Sequence, residues 1–387
     1  MRILHVITRL IAGGAQQNTV LCCADQVSRG HAVGLVFGPI YGPEGSLRDA
    51  AAASGAELIE VAAMRRAVLP GHDVWTYWAL RRVMRRFRPE VVHTHSSKAG
   101  IVGRAAAWSE GVPAVVHTVH GLPFHDRQSR LVHRTYIALE RWAARRCHHL
   151  IAITPAMVDA FVAAGIAPRQ RFTVIPSGVV LDDWHRHPTQ RGHVRRELDI
   201  PPDAPLIALV ARLDPLKGQD DLLDILPELR RRHPHVHVLL IGDGWERRRL
   251  ELRIAREGLR DRVLLAGLVP PAEVARLLSA CDIKVLPSYQ EGQSRTLVEA
   301  LLCGCAVAGY DVGGIGSIIE DGRTGRLVRV GDRAGLLDAV AWLIEHPEER
   351  ARLAALGRSH VRERFDARTM VRQVEDVYLD VLAGRLR

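Results

Sequence analysis

The chain has 387 residues, 47% hydrophobic and 25% charged, a balance that excludes disordered and fibrous classes and allows two domains with separate cores. Its formal charge of +10 and pI near 9.8 favour an anionic partner without choosing among nucleotide, phospholipid and nucleic acid, and an arginine- and alanine-rich composition explains the charge equally well. No run reaches the ~20 apolar residues that span a bilayer. The cysteines at 22, 23, 147, 281, 303 and 305 form neither a Cys-x-x-Cys pair nor a compact disulfide framework, which fits a reducing cytoplasm.

The opening run Met1-Arg-Ile-Leu-His-Val-Ile-Thr-Arg-Leu10 is interrupted by His5 and Arg9 and ended by Gly13-Gly14. It reads as a buried strand over Ile3 to Thr8, not as a signal peptide. Ala15 to Ser28 follows as an amphipathic helix, with Gly13, Gly14, Gln16 and Gln17 in the first strand-to-helix turn. Glycines there let a ligand approach the backbone, and the helix N-terminus favours anions. A strand over Ala32 to Phe37 and a helix over Ser46 to Ser54 come next. Further strands are expected at Val91 to Thr94, Ala114 to Thr118, Leu150 to Ile153 and Phe172 to Ile175, with helix-like segments between them. This alternation predicts a parallel, doubly wound sheet.

Two of these strands end in histidine pairs, Val91-Val-His-Thr-His95 and Val115-Val-His-Thr-Val-His120. His120, beside Gly121, suits hydrogen bonding to a sugar hydroxyl or a phosphate oxygen. His93 and His117 read equally as structural residues. A zinc site is not expected, because strand-end spacing does not set tetrahedral geometry and no cysteine or carboxylate completes the group. Two arginine-rich segments, Arg81 to Arg88 and Arg127 to Arg146, are interleaved with Val83, Phe87, Leu131, Tyr136, Leu139 and Trp142. They read either as solvated helix faces or as basic amphipathic surfaces for anionic lipid. No nucleic-acid motif accompanies them.

Between Pro176 and Pro205 the alternation lapses, placing a boundary that divides the chain into domains over 1–182 and 183–365, with a helical tail beyond. Strands resume at Leu206 to Ala211, Val236 to Ile241, Val263 to Ala266, Ile283 to Leu286, Ala306 to Ala308 and Leu327 to Val330. Two such domains facing across a cleft are the simplest architecture. Arg212 and Lys217 fall just past the first of these strands, where paired cations can neutralise a diphosphate. Gly242-x-Gly244 resembles the start of a dinucleotide fingerprint, but Arg247 stands where glycine or alanine is needed, so it reads as a tight turn. Glu291 lies in the loop after Ile283 to Leu286, and Glu299 about two turns into the next helix. The two carboxylates are placed to grip a polyhydroxylated ligand, with the helix's first N–H groups left for an anion.

These motifs together resemble the retaining glycosyltransferases of family 4, which have the GT-B fold. The resemblance rests on Gly13-Gly14, Val91 to Gly100, His117-Thr-Val-His-Gly121, Val174-Ile-Pro-Ser-Gly-Val179, Val210 to Gly218 and the Glu291/Glu299 pair. It implies an α/β protein of two Rossmann-like domains, with a terminal helix at about 366–387 packing back on the first, and a nucleoside-diphosphate sugar, UDP- or GDP-linked, as co-substrate rather than a cofactor. It further implies that Glu299 takes the ribose, Arg212 and Lys217 the diphosphate, the backbone near Val269 the base, and Gly292, Ser294 and Thr296 the pyrophosphate at the helix start. Gly14 joins the donor contacts, Glu291 and His120 flank the sugar, and Gly13, Gln16 and His95 lie on the acceptor side. Catalysis is then leaving-group stabilisation by Arg212 and Lys217, with Glu291 and His120 at the sugar. No Asp-x-Asp occurs, which points to metal-independent transfer.

His95-Ser-Ser-Lys-Ala-Gly100 and His117 to Phe124 look like the bacterial enzymes of capsular, exopolysaccharide or O-antigen synthesis. The implied acceptor is a hydroxyl of a glycan or polyprenyl-diphosphate-linked saccharide, at the inner face of the cytoplasmic membrane, with peripheral membrane contact and no nucleic acid. The chain departs from its relatives at Gly313-Gly-Ile-Gly-Ser317, where Gly-Gly-x-Pro-Glu is common, and this bears on donor identity. The alternative reading is a non-hydrolysing sugar-nucleotide epimerase of the same architecture.

Overall fold

A computed structural model describes residues 1–42, 45–67, 69–124, 128–185 and 188–386. The chain divides into two compact units, one of residues 1–178 and 367–387, the other of 179–366.

The first unit runs β1 (Arg2–Arg9), α1 (Gly14–Ser28), β2 (Ala32–Gly38), α2 (Arg48–Ala53), β3 (Glu57–Glu60), α3 (Pro70–Phe87), β4 (Val91–His95), α4 (Ser97–Ser109), β5 (Ala114–Val119), α5 (Arg130–Ala144), β6 (His149–Ala152), α6 (Pro155–Ala163) and β7 (Phe172–Val174). The second runs α7 (Pro188–Glu197), β8 (Leu206–Val210), α8 (Gln219–Arg232), β9 (His237–Ile241), α9 (Arg247–Arg256), β10 (Val263–Gly267), α10 (Pro271–Ala280), β11 (Ile283–Leu286), α11 (Arg295–Leu302), β12 (Ala306–Tyr310), β13 (Arg326–Val328), α12 (Arg333–Glu345) and α13 (Pro347–Arg364). A last helix, α14 (Ala367–Leu382), belongs to the first unit.

Each unit is built on a parallel sheet, of seven strands in the order β3-β2-β1-β4-β5-β6-β7 and of six in the order β10-β9-β8-β11-β12-β13. Both faces of each sheet are covered, which is why β8 and β9 are buried at every position. On the first sheet, α14 lays Met370, Val371, Val374, Val377, Tyr378 and Val381 over Ile3, Val91, Ala114, Val116 and Ile151. On the second, apolar layers lie on either side, one holding Ala208 and Leu286, the other Ile207 and Val285.

In both sheets the strand order reverses beside the first strand, between β1 and β4 and between β8 and β11. Loops leaving neighbouring strands at such a point diverge to opposite faces and leave a crevice, where ligands of doubly wound sheets collect. Helix starts are set locally. Thr154 accepts from Met157 N ahead of Pro155 at the head of α6, and Ser129 caps α5 through Val132 N.

Three elements differ from the sequence reading, α7 among them, since it lies within the lapse between Pro176 and Pro205. β3 was not expected, because its two central apolar residues, Leu58 and Ile59, are flanked by Glu57 and Glu60 at the sheet edge. α11 starts only at Arg295, so Glu299 is its fifth residue, little more than one turn in rather than two. The delay follows from Ser294, which stays extended at φ −84° and ψ 101°. All six cysteines are buried free thiols.

Candidate functional site

In the second unit the loops leaving β8 and β11 meet at the reversal point. Asp214 accepts from Leu216 N at 3.0 Å and shapes the short turn Pro215–Lys217. Leu216 O in turn accepts from Tyr289 N at 2.9 Å, tying this turn to the loop after β11. Gly218 follows at φ +71°, where a Cβ would stand 1.9 Å from Pro287 O, so only glycine allows the two loops to approach this closely. Lys217 Nζ then donates to Glu291 Oε1 at 2.7 Å. Arg212 stands beside the same turn, more exposed, with Asp214 at 3.4 Å from its guanidinium.

Two glycine pairs brace these loops. Gly242 and Gly244 would place a Cβ 2.1 Å from Ala211 O and 2.3 Å from Leu213 O, so the Gly-x-Gly of β9 supports the Arg212 loop by backbone packing. Gly313, at φ +58°, would place one 2.0 Å from Glu291 O, and Gly314 N donates to Gly292 O at 2.9 Å. The first glycines of Gly313-Gly-Ile-Gly-Ser317 thus hold the Glu291 loop from the β12 side.

Behind the loop, Glu299 stands among buried groups, Lys284 foremost, that the sequence reading did not single out. Lys284, on β11, is fully buried, and its Nζ has no hydrogen-bond partner among the described residues. Burial pushes its ammonium down to about 7, opposed by the nearby charges of Glu291 and Glu299. Glu299 is buried on α11 with its carboxyl pushed up by burial, and Arg295 Nε lies 3.8 Å away. Ser288 Oγ is buried without a partner among the described residues. The one available signal was a charged residue inside the otherwise apolar run Ile283 to Leu286.

Among the other expected donor contacts, Gly292, Ser294 and Thr296 line the approach to α11. Ser294 makes no side-chain cap bond and instead pairs Oγ with Thr296 Oγ1 at 3.2 Å, leaving the helix's first N–H groups uncapped by it. Val269 follows β10, two strands from β8 in the sheet, and packs partly buried against the apolar layer.

The first unit carries a second group of expected residues at its own reversal point. Gly13 precedes and Gly14 begins α1, which lacks a side-chain cap; Gln16 Oε1 lies over Gly13, where a Cβ would meet it at 2.7 Å. His120 follows β5, and its Nε2 is 3.0 Å from His95 Nδ1. His95 itself is fully buried, with Nε2 3.0 Å from His5 Nδ1. Its ring is enclosed between His5 and His120, in the same unit as Gly13 and Gln16, the other residues expected on the acceptor side. Burial holds the His5 and His120 rings down to about 4, and His93, His95 and His117 well below their usual range.

His5, His93 and His95 bring ring nitrogens within 4.8 Å of one another, the spacing of a potential metal group. Each of their ring nitrogens already has a protein partner: Gln26 and His95 for His5, Tyr378 and Thr118 for His93, His5 and His120 for His95. The three rings are thus joined in one hydrogen-bonded cluster.

Of the basic segments, Arg127 lies outside the described residues. On α3, Arg81 and Arg85 pair with Glu110, and Phe87 is buried. On α5, Leu131, Leu139 and Trp142 are exposed, with Arg146 stacked 3.9 Å from the Trp142 ring centre. Among the described residues, no helix is long and apolar enough to cross a membrane.

The family model described as Glycosyltransferase Family 4 matches residues 12–183, and that described as Glycosyl transferases group 1 matches residues 190–360. The chain is 31% identical over 286 residues to a D-inositol 3-phosphate glycosyltransferase of Nocardia farcinica, covering 69% of this chain and 61% of that protein's length. It is 25% identical over 316 residues to the UDP-Gal:alpha-D-GlcNAc-diphosphoundecaprenol alpha-1,3-galactosyltransferase of Escherichia coli, covering 81% of each. Among solved structures, Anabaena Alr3699/HepE in complex with UDP-glucose superposes with a TM-score of 0.82 at 23% identity, covering 97% of this chain and 98% of the other. This last likeness shows the fold, GT-B.

Proposed function

The chain belongs to glycosyltransferase family 4, and on that premise we propose that it is a retaining, metal-independent hexosyltransferase using a UDP- or GDP-linked sugar. The observation that carries this reading is the meeting of Arg212, Lys217 and Glu291 at the reversal point of the second sheet, beside a helix start that Ser294 leaves uncapped.

The proposed chemistry is leaving-group stabilisation. As the bond from sugar to nucleoside diphosphate breaks, negative charge grows on the phosphate oxygens. Arg212, Lys217 and the N–H groups around Gly292, Ser294 and Thr296 meet that charge already in place. Glu299 is assigned to the ribose and the backbone at Val269 to the base. Glu291 stabilises positive charge at the sugar while the departing phosphate takes the acceptor's proton, a front-face route that retains configuration. In the first unit, His120 and Gly14 are assigned to the donor sugar, and Gly13 and Gln16 to the acceptor.

The proposed acceptor is a hydroxyl of a glycan or polyprenyl-diphosphate-linked saccharide in bacterial surface polysaccharide synthesis. The Escherichia coli relative, named for a diphosphoundecaprenol-linked substrate, supports it. The proposed location is the cytoplasm, at the inner face of the cytoplasmic membrane, and exposed apolar residues among arginines on α5 support peripheral contact with anionic lipid there.

Incubation with sugar nucleotides, with and without saccharide acceptors and with chelator present, tests the proposal. Acceptor-dependent release of nucleoside diphosphate, insensitive to chelator and giving a product with the donor's anomeric configuration, is expected. Conversion of sugar nucleotide alone into an epimer would instead support the epimerase reading.

A further inference from the structure

The histidines of the first unit form a directed chain. Gln26, buried on α1, places Oε1 2.8 Å from His5 Nε2. His5 Nδ1 is 3.0 Å from His95 Nε2, and His95 Nδ1 is 3.0 Å from His120 Nε2. The last atom, His120 Nδ1, is buried and has no partner among the described residues.

A neutral imidazole carries one N–H and one lone pair, so fixing one nitrogen fixes the other. Gln26 Oε1 can only accept, so His5 Nε2 carries the proton and His5 Nδ1 is the acceptor. His95 Nε2 must then donate to it, leaving His95 Nδ1 as acceptor. His120 Nε2 donates in turn, and the lone pair emerges at His120 Nδ1. Burial keeps His5, His95 and His120 neutral, the state this ordering requires.

We infer that Gln26, His5 and His95 are positioning residues that hold His120 in its Nε2–H tautomer, so that His120 Nδ1 accepts a hydrogen bond from a substrate hydroxyl. This rests on the reading of His120 as a substrate-facing residue, and it specifies what that residue recognises. A bare Nδ1 lone pair attracts a hydroxyl proton and repels a phosphate oxygen. A buried acceptor without a donor is unfavourable, so a substrate hydroxyl gains by supplying the missing proton. The chain orients and does not shuttle, because the Gln26 amide at its far end is a poor proton acceptor.

The test is ring ¹⁵N NMR of histidine-labelled protein, with His120 assigned through His120→Gln, alongside steady-state kinetics. In wild type, His120 is expected to show a protonated Nε2 and a bare Nδ1. Gln26→Leu, which removes the amide that orders the chain, is expected to mix the His120 tautomers and lower kcat about 10-fold, with KM for the sugar nucleotide within about 2-fold, on the scale of lost outer hydrogen-bond partners. Gln26→Glu, which still accepts from His5, is expected to retain the tautomer. A proton on Nδ1 in wild type, or a tautomer unmoved in folded Gln26→Leu, would overturn the inference. The wild-type spectrum decides the tautomer even if a variant fails to fold. Full activity of His120→Ala would separately overturn the substrate-facing reading, whichever tautomer the ring holds.

Discussion

Lys217 Nζ and Glu291 Oε1 are 2.7 Å apart, joining the turn after β8 to the loop after β11 through a partly buried ion pair. On the proposed roles of these residues, an arriving diphosphate competes with Glu291 for this ammonium, and binding of the anion is expected to release the carboxylate toward the sugar. Removing the carboxylate's charge should leave Lys217 free for the diphosphate while the sugar loses its stabilising group. Glu291→Gln is therefore expected to bind nucleoside diphosphate at least as tightly as wild type and to lose about 10²–10³ in kcat, as for other preorganised electrostatic groups. Titration calorimetry and initial rates check this; transfer and hydrolysis both near wild type would remove Glu291 from any essential role.

Lys284 carries a stability cost that the site retains. Its ammonium is held at about 7 against an ordinary value of 10.5, so between these pH values the unfolded chain binds more protons than the folded one. The cost is therefore full below pH 7 and fades as pH rises through 10.5. Lys284→Met is expected to stabilise the protein by about 2 kcal/mol at pH 7, with a smaller gain at pH 10, and to weaken sugar-nucleotide binding. Denaturant titrations at the two pH values measure the first effect; a destabilised variant at pH 7 would contradict it.

Gly313 couples backbone geometry to the same loop. An alanine there adds left-handed strain of about 1–2 kcal/mol, and its Cβ would stand 2.0 Å from Glu291 O, forcing that loop to move. Gly322, at φ +71°, carries similar strain with nothing within 4 Å. Both alanine variants should lose some stability, but only Gly313→Ala should lose kcat disproportionately. Rates and melting temperatures measured side by side separate strain from displacement.

The buried neutral histidines are expected to make the protein lose stability in acid. His5 and His120 sit at about 4 when folded and near 6.5 when unfolded, so the unfolded chain takes up more protons over that interval. Stability is full above pH 6.5 and falls as pH drops toward 4, by on the order of 3 kcal/mol for each of these rings over the whole interval. Unfolding free energies at pH 7 and pH 5 check the direction, and His5→Gln is expected to flatten the dependence. A wild-type value that rises on acidification would contradict it.

Alternation of apolar runs with helical segments was enough to read the doubly wound sheets, because strands buried on both faces must be continuously apolar, as Leu206 to Val210 is. β3 escaped because an edge strand tolerates glutamates that a central strand would not. Arg212, Lys217 and Glu291 were legible as a set because each directly follows a recognisable strand. Lys284 was not, since its chemistry depends on burial beneath α11, which pairs residues far apart in sequence. The surroundings of His95 were hidden for a related reason: the strand Val91 to His95 shows that a histidine ends it but not that His5 and His120 enclose its ring.

If the second unit binds a nucleoside-diphosphate sugar through Arg212, Lys217 and Glu299, as proposed, a panel of sugar nucleotides will reveal the cognate donor by thermal stabilisation. At about 100 times its dissociation constant, the cognate donor should add about 2.7 kcal/mol of stability, an effect abolished in the double variant Arg212→Ala/Lys217→Ala. Absence of stabilisation by every nucleoside diphosphate and sugar nucleotide in the panel would contradict the account.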